Sequence, residues 1–252
     1  MRKHRPLLAA ILVISSVSIC SAGQQSAARQ PGSQSSAAPK HPPIFSVNVP
    51  AERILNLDLL KKQVRQYHDC TCKCGCYTHD IDLQADRAIS FLRRRAARSS
   101  QQKLALVLDI DETSLSNYQE MDNADFAYKK EVFDAWVESS QAPAIQGTLR
   151  IYKEAQRLGV SVFFITGRPE RQRTATERNL IGQGFQDWRQ LTLRPASTAS
   201  ESVDQYKSNA RAQIVAQGYK IVLNVGDQWS DLKGKPEAEL SVKYPDPFYF
   251  LP

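Results

Sequence analysis

The chain has 252 residues, of which 42% are hydrophobic and 23% charged, and a formal net charge of +7. That length suits one domain with a sizeable core, or one domain with a small insert, rather than a multidomain assembly. The composition is that of an ordinary globular protein, and the charge excess is too mild to require a nucleic-acid polymer as partner.

Much of the basic excess sits at the start. Arg2, Lys3 and Arg5 precede the apolar run Leu7–Ile14, and small and polar residues follow. This order of basic end, short apolar stretch and small-residue site is the layout of a secretory signal peptide, read here as residues 1–22 with cleavage after Ala22. The run is too short to span a bilayer, so no stable membrane insertion is expected. Cys20 raises lipidation as an alternative, but Ile19 stands where a lipoprotein signal wants Gly, Ala or Ser. The expected location is periplasmic or secreted, an oxidising compartment in which the remaining four cysteines can be bridged.

Residues 23–43 are built largely from Gln, Ser, Ala, Pro and Gly, with no aromatic or branched aliphatic side chain. Such a segment cannot bury enough apolar surface to offset its ordering entropy, so residues 23–46 read as a disordered linker and 47–252 as the folded domain. Leu55–Tyr67 and Asp80–Arg98 show helical spacing, as in Ile81, Ala85, Ala88, Ile89 and Leu92. Then come continuous apolar runs: Leu104–Ile110, Ser161–Thr166 and Lys220–Gly226, with Gln190–Arg194 a shorter one. Runs apolar on both faces suit parallel strands sandwiched between helices. Thr148–Leu158, Glu170–Ile181 and Glu201–Gln217 have helical spacing, and Gly159 and Gly218 stand where helices end. The alternation predicts an α/β fold, a doubly wound, Rossmann-like parallel sheet. Residues 114–147, aromatic, charged and helical in pattern, read as a small cap inserted after the first strand.

Ligands of open α/β sheets bind at the carboxyl ends of the strands. There the sequence puts Asp109-Ile-Asp111-Glu-Thr113, Thr166-Gly167-Arg168 and Gly226-Asp227-Gln-Trp-Ser-Asp231, with Lys207 in the preceding helical segment. Carboxylates, a hydroxyl and an amine converging on one edge suit phosphoryl transfer. Clustered carboxylates repel one another and call for a cation, and hard oxygen ligands favour Mg2+. A lysine and a hydroxyl can stabilise charge on the phosphate oxygens. An aspartate can attack phosphorus, and a second one two residues on, emerging on the same side of the strand end, can protonate the leaving alcohol. Two carboxylates closing a buried apolar strand would be costly without such a cation. Thr113 reads as a helix cap and Glu112 as pointing to solvent or to a local ion pair, while Arg168 reads as structural or as a neighbour of the site.

These residues carry a resemblance. Asp109-x-Asp111-x-Thr113, Thr166, Lys207 and Asp227-x-x-x-Asp231 match, in order, the four motifs of the haloacid dehalogenase-like superfamily. Leu108–Asn117, Thr166–Arg168, Tyr206–Ser208, Gly226–Leu232 and the ending Pro245–Phe250 resemble its acid phosphatase branch, subfamily IIIB, over about Leu55 to Leu251. The resemblance implies that Asp109 is the nucleophile and a metal ligand, and Asp111 the acid/base with a backbone carbonyl toward the metal. It implies Asp227 as a further ligand, Asp231 as a brace for the metal's waters or for Lys207, and Thr166, Gly167 and Lys207 as holders of the phosphate. The expected activity is hydrolysis of small phosphate monoesters with Mg2+, nucleoside monophosphates among them. The oligomeric state stays open, a homo-oligomer included. The alternative is a storage or binding protein of the same fold, as in some plant members. A receiver domain also combines Asp, Thr and Lys, but the Asp-x-Asp pair and the export signal speak against it.

Two features lie outside those motifs. Tyr118, beside strand one, and Trp229, beside the metal-binding loop, are expected to stack on a flat substrate group, whereas Phe133 and Trp136 read as packing of the insert. Cys70, Cys72, Cys74 and Cys76 alternate with other residues. That spacing is poor for zinc and suits local disulfides or pairing with another subunit.

Overall fold

The computed structural model describes residues 55–72, 75–98 and 101–251. The leader with Cys20, the linker, and Cys74 therefore lie outside the described residues. Five strands form one parallel sheet: β1 (Leu104–Leu108), β2 (Ser161–Pro169), β3 (Gln190–Arg194), β4 (Lys220–Gly226) and β5 (Leu240–Lys243), in the order β3-β2-β1-β4-β5. Alternation of side chains along each strand feeds two cores. Leu104, Leu106 and Leu108 join Val162 and Phe164 on one face, while Ala105 and Val107 join Phe163 and Ile165 on the other.

The first face is covered by α2 (Tyr77–Ala96) and α5 (Gln146–Arg157), the second by α7 (Val203–Ala216), with α6 (Arg173–Gly182) after β2. The expected doubly wound α/β sheet is thus present, with the helices shifted by one to three residues. Gly159 and Gly218 follow α5 and α7 at φ +69° and +84°, the left-handed geometry that ends a helix. The segment from Glu170 opens with a short 3-10 turn, Glu170–Gln172, before α6 begins. Strand β5 was not expected: with four residues and two polar side chains it has too little pattern to read, and its place at the sheet edge explains why so little is needed.

The insert carries α3 (Tyr118–Asn123) and α4 (Lys130–Ser139). Its expected end at residue 147 runs slightly too far. Gln146 and Gly147 already belong to α5, and a Cβ on Gly147 would lie 2.7 Å from Ile81 Cγ2, so this position packs helix on helix in the core layer. Outside the sheet, α1 (Leu57–Asp69) is tied to the insert: Arg65 donates to Asp122 at 2.5 Å and to Asp125 at 2.8 Å, and lies over the Phe126 ring.

Candidate active site

Strands β1 and β4 are neighbours in register, with Leu108 opposite Val225, so Asp109 and Asp227 leave the sheet side by side. Asp109 is fixed by its own amide, which donates to Val225 O at 3.1 Å. The chain then doubles back, because Thr113, Ser114 and Leu115 all donate backbone N–H groups to Ile110 O. Glu112 takes a left-handed φ of 52° within this turn, a conformation uncommon outside glycine and held here by the surrounding bonds.

Lys207 projects from α7 between Asp109 and Asp231, with its ammonium 2.7 Å from Asp109 Oδ1 and in contact with Asp231 Oδ1. Burial opposes the lysine's charge, but the two carboxylates outweigh it and raise its pKa. Asp231 also caps α8 (Trp229–Leu232): its Oδ2 accepts from the Gln228 amide at 2.8 Å, while the Gln228 side chain caps the same turn in return. Gly226 makes room for it, since a Cβ there would lie 2.6 Å from Asp231 Cγ.

Asp109, Asp227 and Asp231 are all buried, and one carboxylate oxygen of each lies within 4.8 Å of the others. Burial, reinforced by Asp231, pushes the Asp109 carboxyl up to about 7 even beside Lys207. Burial pushes Asp227 well above the usual range, and Asp231 and Asp109 add to it. Its hydrogen-bond partners are neutral: Thr113 Oγ1 at 2.8 Å, Gln228 Nε2 at 2.8 Å and Tyr249 Oη at 3.4 Å. A buried, all-oxygen set with more carboxylates than ammonium groups fits a hard divalent cation. Asp111 is not in this cluster. Its carboxylate accepts from Arg168 NH2 at 2.7 Å, from Arg168 Nε at 3.0 Å and from Asn117 Nδ2 at 2.8 Å. Burial works against its ionisation, but the Arg168 guanidinium and these bonds hold it below the usual range.

In front of this cluster lies a cavity of about 590 Å3. Asp109, Asp111, Gly167, Arg168 and Lys207 line its floor; Phe126, Tyr128 and Phe133 from the insert and Phe248, Tyr249 and Phe250 from the C-terminal segment line its walls. It is roomy enough for a small organic molecule with a flat, apolar part.

A family model for the HAD superfamily, subfamily IIIB (acid phosphatase), matches residues 28–252. The chain belongs to this family. Acid phosphatase 1 of Solanum lycopersicum is 43% identical over 58% of this chain, which spans only 58% of the tomato protein's own length. Vegetative storage protein 1 of Arabidopsis thaliana is 26% identical, with 82% of each chain covered. The class C acid phosphatase from Bacillus anthracis shares the fold, at a TM-score of 0.63 and 22% identity over 78% of this chain and 87% of that one.

Within the acid phosphatase fold, the sequence-predicted residues fall into three groups. Asp109, Lys207, Asp227 and Asp231 meet directly, and Gly167 lines the cavity. Thr166 is fully buried at the end of β2, its hydroxyl accepting from the Arg168 amide at 3.1 Å. Tyr118 and Trp229 are corrected by the structure. Tyr118 is buried in an aromatic cluster with His68, Phe126 and Phe248, and Trp229 is half exposed beside Lys243; neither lines the cavity. Proximity along the chain misled here, because the turn after β1 folds Tyr118 back beneath the wall.

Two bland expectations are corrected as well. Glu112 does not reach solvent: it is fully buried and accepts from the Asn117 amide at 2.5 Å and from Asn117 Nδ2 at 2.9 Å. Burial, then the neighbouring Asp111, push its carboxyl well above the usual range. Thr113 caps no helix; its hydroxyl orients Asp227. Asn117, Gln228, Tyr249 and Asp246 lie within the motif segments, but no role was expected of them. Gln228 Nε2 donates to both Asp227 and Asp246, so it ties the C-terminal segment to the acidic cluster. No periodic pattern marks such residues; only their occurrence inside the quoted motifs hinted at them.

Among the described residues, no helix is long and apolar enough to cross a membrane. Cys70, Cys72 and Cys76 lie together between α1 and α2, Cys72 is disulfide-bonded, and Cys70 Sγ is 2.9 Å from Cys72 Sγ.

Proposed function

We propose that this chain is an exported, divalent-metal-dependent phosphomonoesterase that works through an aspartyl phosphate on Asp109. The observation that carries the reading is Asp109 itself: a buried carboxylate on the cavity floor, salt-bridged to Lys207 and two residues from a second aspartate held by an arginine. Asp109, Asp227 and Asp231 supply the donor set for Mg2+, with the backbone carbonyl of Asp111 as a further ligand. When bound, the ion would neutralise charge shared between the carboxylates and a phosphate oxygen.

In the first step an Asp109 oxygen attacks phosphorus and the bond from phosphorus to the ester oxygen breaks. Asp111 gives a proton to that oxygen, so a neutral alcohol departs. In the second step water attacks the acyl phosphate, Asp111 takes its proton, and inorganic phosphate leaves with Asp109 restored. Lys207 offsets part of the cost of burying the Asp109 carboxylate and stabilises charge on the transferring phosphoryl group. Thr166 and Gly167, at the end of β2, are the remaining candidates to hold its oxygens. Because Arg168 keeps Asp111 ionised, its acid form becomes scarcer as pH rises, so the proton-delivery step is favoured by lower pH.

The substrate class is small phosphate monoesters, and the aromatic walls favour a flat leaving group such as a nucleoside. The layout of residues 1–22 supports export. Likeness to vegetative storage proteins motivates a second reading, storage without catalysis. A storage role gives no reason to bury mutually repelling carboxylates on the floor of a cavity. Phosphate release from p-nitrophenyl phosphate and from a nucleoside monophosphate, with and without chelator, tests the choice. Activity lost to chelation, restored by Mg2+ and absent from Asp109→Asn supports the enzyme reading; no release under any condition favours storage.

A further inference from the structure

Asn117 is a fully buried residue whose side-chain amide is completely used. Its Nδ2 donates to Asp111 Oδ1 at 2.8 Å and to Glu112 Oε2 at 2.9 Å, and its Oδ1 accepts from Trp136 Nε1 at 2.9 Å. The orientation of this amide is decided by chemistry. An indole N–H can only donate, so the oxygen must face Trp136 and the NH2 group must face the two carboxylates. A flipped amide would set donor against donor on one side and acceptor against acceptor on the other.

Trp136 belongs to α4 of the insert, one turn beyond Phe133, and residues three apart share a helix face. Phe133 lines the cavity while Trp136 reaches Asn117. The same helix is anchored near the end of β2, where Arg171 NH2 and Gln172 Nε2 donate to Asp134 at 2.9 Å and 2.8 Å. Asp111 is thus gripped from two sides: by Arg168 from β2, and by the insert through Trp136 and Asn117.

We propose that Trp136 is a positioning residue for the reaction, acting through Asn117 to aim the Asp111 carboxyl at the leaving-group oxygen, so that α4 links substrate contact to proton delivery. The inference rests on the phosphatase reading above. The indole N–H fixes the amide, the amide shares Asp111 Oδ1 with Arg168, and Oδ2 is held only by the longer contact of 3.2 Å from Arg168 Nε, the looser oxygen and the one proposed to serve the leaving group. Without the N–H, the Asn117 oxygen loses its buried donor, and the amide is held only by the carboxylates it positions, so its grip on Asp111 loosens.

Trp136→Phe tests this, because it removes the donor while leaving a ring to pack the insert. Proton delivery matters for an alkyl leaving group and little for nitrophenolate. The variant should lose about 10-fold in kcat with glycerol phosphate and less than about 2-fold with p-nitrophenyl phosphate, with KM for both nearly unchanged. Circular dichroism and a melting curve, read beside the kinetics, establish that the variant is folded. Equal losses with both esters, or no loss with either, would overturn the proposal and leave Trp136 as packing alone. A variant that cannot be obtained folded would also overturn it, since the ring would then be structural. Wild-type protein that hydrolyses neither ester would instead sink the phosphatase reading, and this inference with it.

Discussion

Replacing Arg168 by Met would remove the cation that holds Asp111 while keeping much of the side-chain volume. The guanidinium is almost fully buried, makes three contacts of 2.7, 3.0 and 3.2 Å to the carboxylate and donates to Thr176 at 3.2 Å. Breaking a buried pair by deleting one partner typically costs about 3–5 kcal/mol. Here the Asp111 side chain keeps 19% exposure and its bond from Asn117, so water can replace part of the loss and the lower end, about 3 kcal/mol, is expected. For a domain of this size that corresponds to a fall of roughly 6–12 °C in melting temperature. The pH dependence follows from linkage. The Asp111 carboxyl is held below its unfolded value, so the contribution of the pair is complete above about pH 4 and is lost as pH falls through the folded value. The gap between wild type and Arg168→Met should be widest near neutrality and narrow in acid. The alkaline limb of the activity profile should also move to higher pH, because the freed carboxyl holds its proton longer. Melting curves from pH 3 to 8 and a pH–rate profile for glycerol phosphate measure both. A melting temperature within about 1 °C of wild type at neutral pH would refute the claim that this pair is worth a buried contact.

Asp227→Asn removes a charge from the acidic cluster and should raise the Mg2+ concentration needed for half-maximal phosphate release by 10-fold or more, on the order of the loss when metal-site partners are removed; titration of the chelated protein measures it. Gly226→Ala should destabilise by about 1–3 kcal/mol in urea unfolding, because its Cβ displaces Asp231 from both the cap and Lys207; an unchanged midpoint would show that the loop yields freely. Tyr128→Ala should lower kcat/KM for a nucleotide more than for glycerol phosphate, whereas Trp229→Ala, outside the cavity, should leave the ratio unchanged. Thiol trapping of the mature, unfolded protein should find at most one reactive thiol among Cys70, Cys72, Cys74 and Cys76. Four thiols, or zinc released when they are modified, would contradict a disulfide role.

The parallel strands were legible because burial on both faces leaves an unbroken apolar run, and the motif residues because each closes such a run. The lining of the cavity was not. Tyr118 and Trp229 are near the site along the chain but not in space, while Phe248, Tyr249 and Phe250 come from a segment that carries no helical or strand period. Glu112 and Asn117 were missed for another reason. Both are polar residues in a turn, where exposure is the ordinary expectation. Their burial depends on the insert folding over them, through Trp136 from 19 residues away. Strand β5 likewise depends on an existing neighbour, β4, for its pairing.

Lys207 and Asp109 are 98 residues apart in the chain, and Thr113 and Asp227 are 114 apart. Contacts of such separation close large loops and are expected late in folding, after the local helices have formed. Neither half of the molecule alone would therefore carry the complete acidic cluster, because Asp109 comes from one and Lys207, Asp227 and Asp231 from the other. It follows that ellipticity should return before phosphatase activity when the unfolded chain is refolded, and that the interval between them times the docking of β4 and α7 onto β1. On the proposed phosphatase function, an activity assay would for that reason also be a clock for the docking of these distant segments.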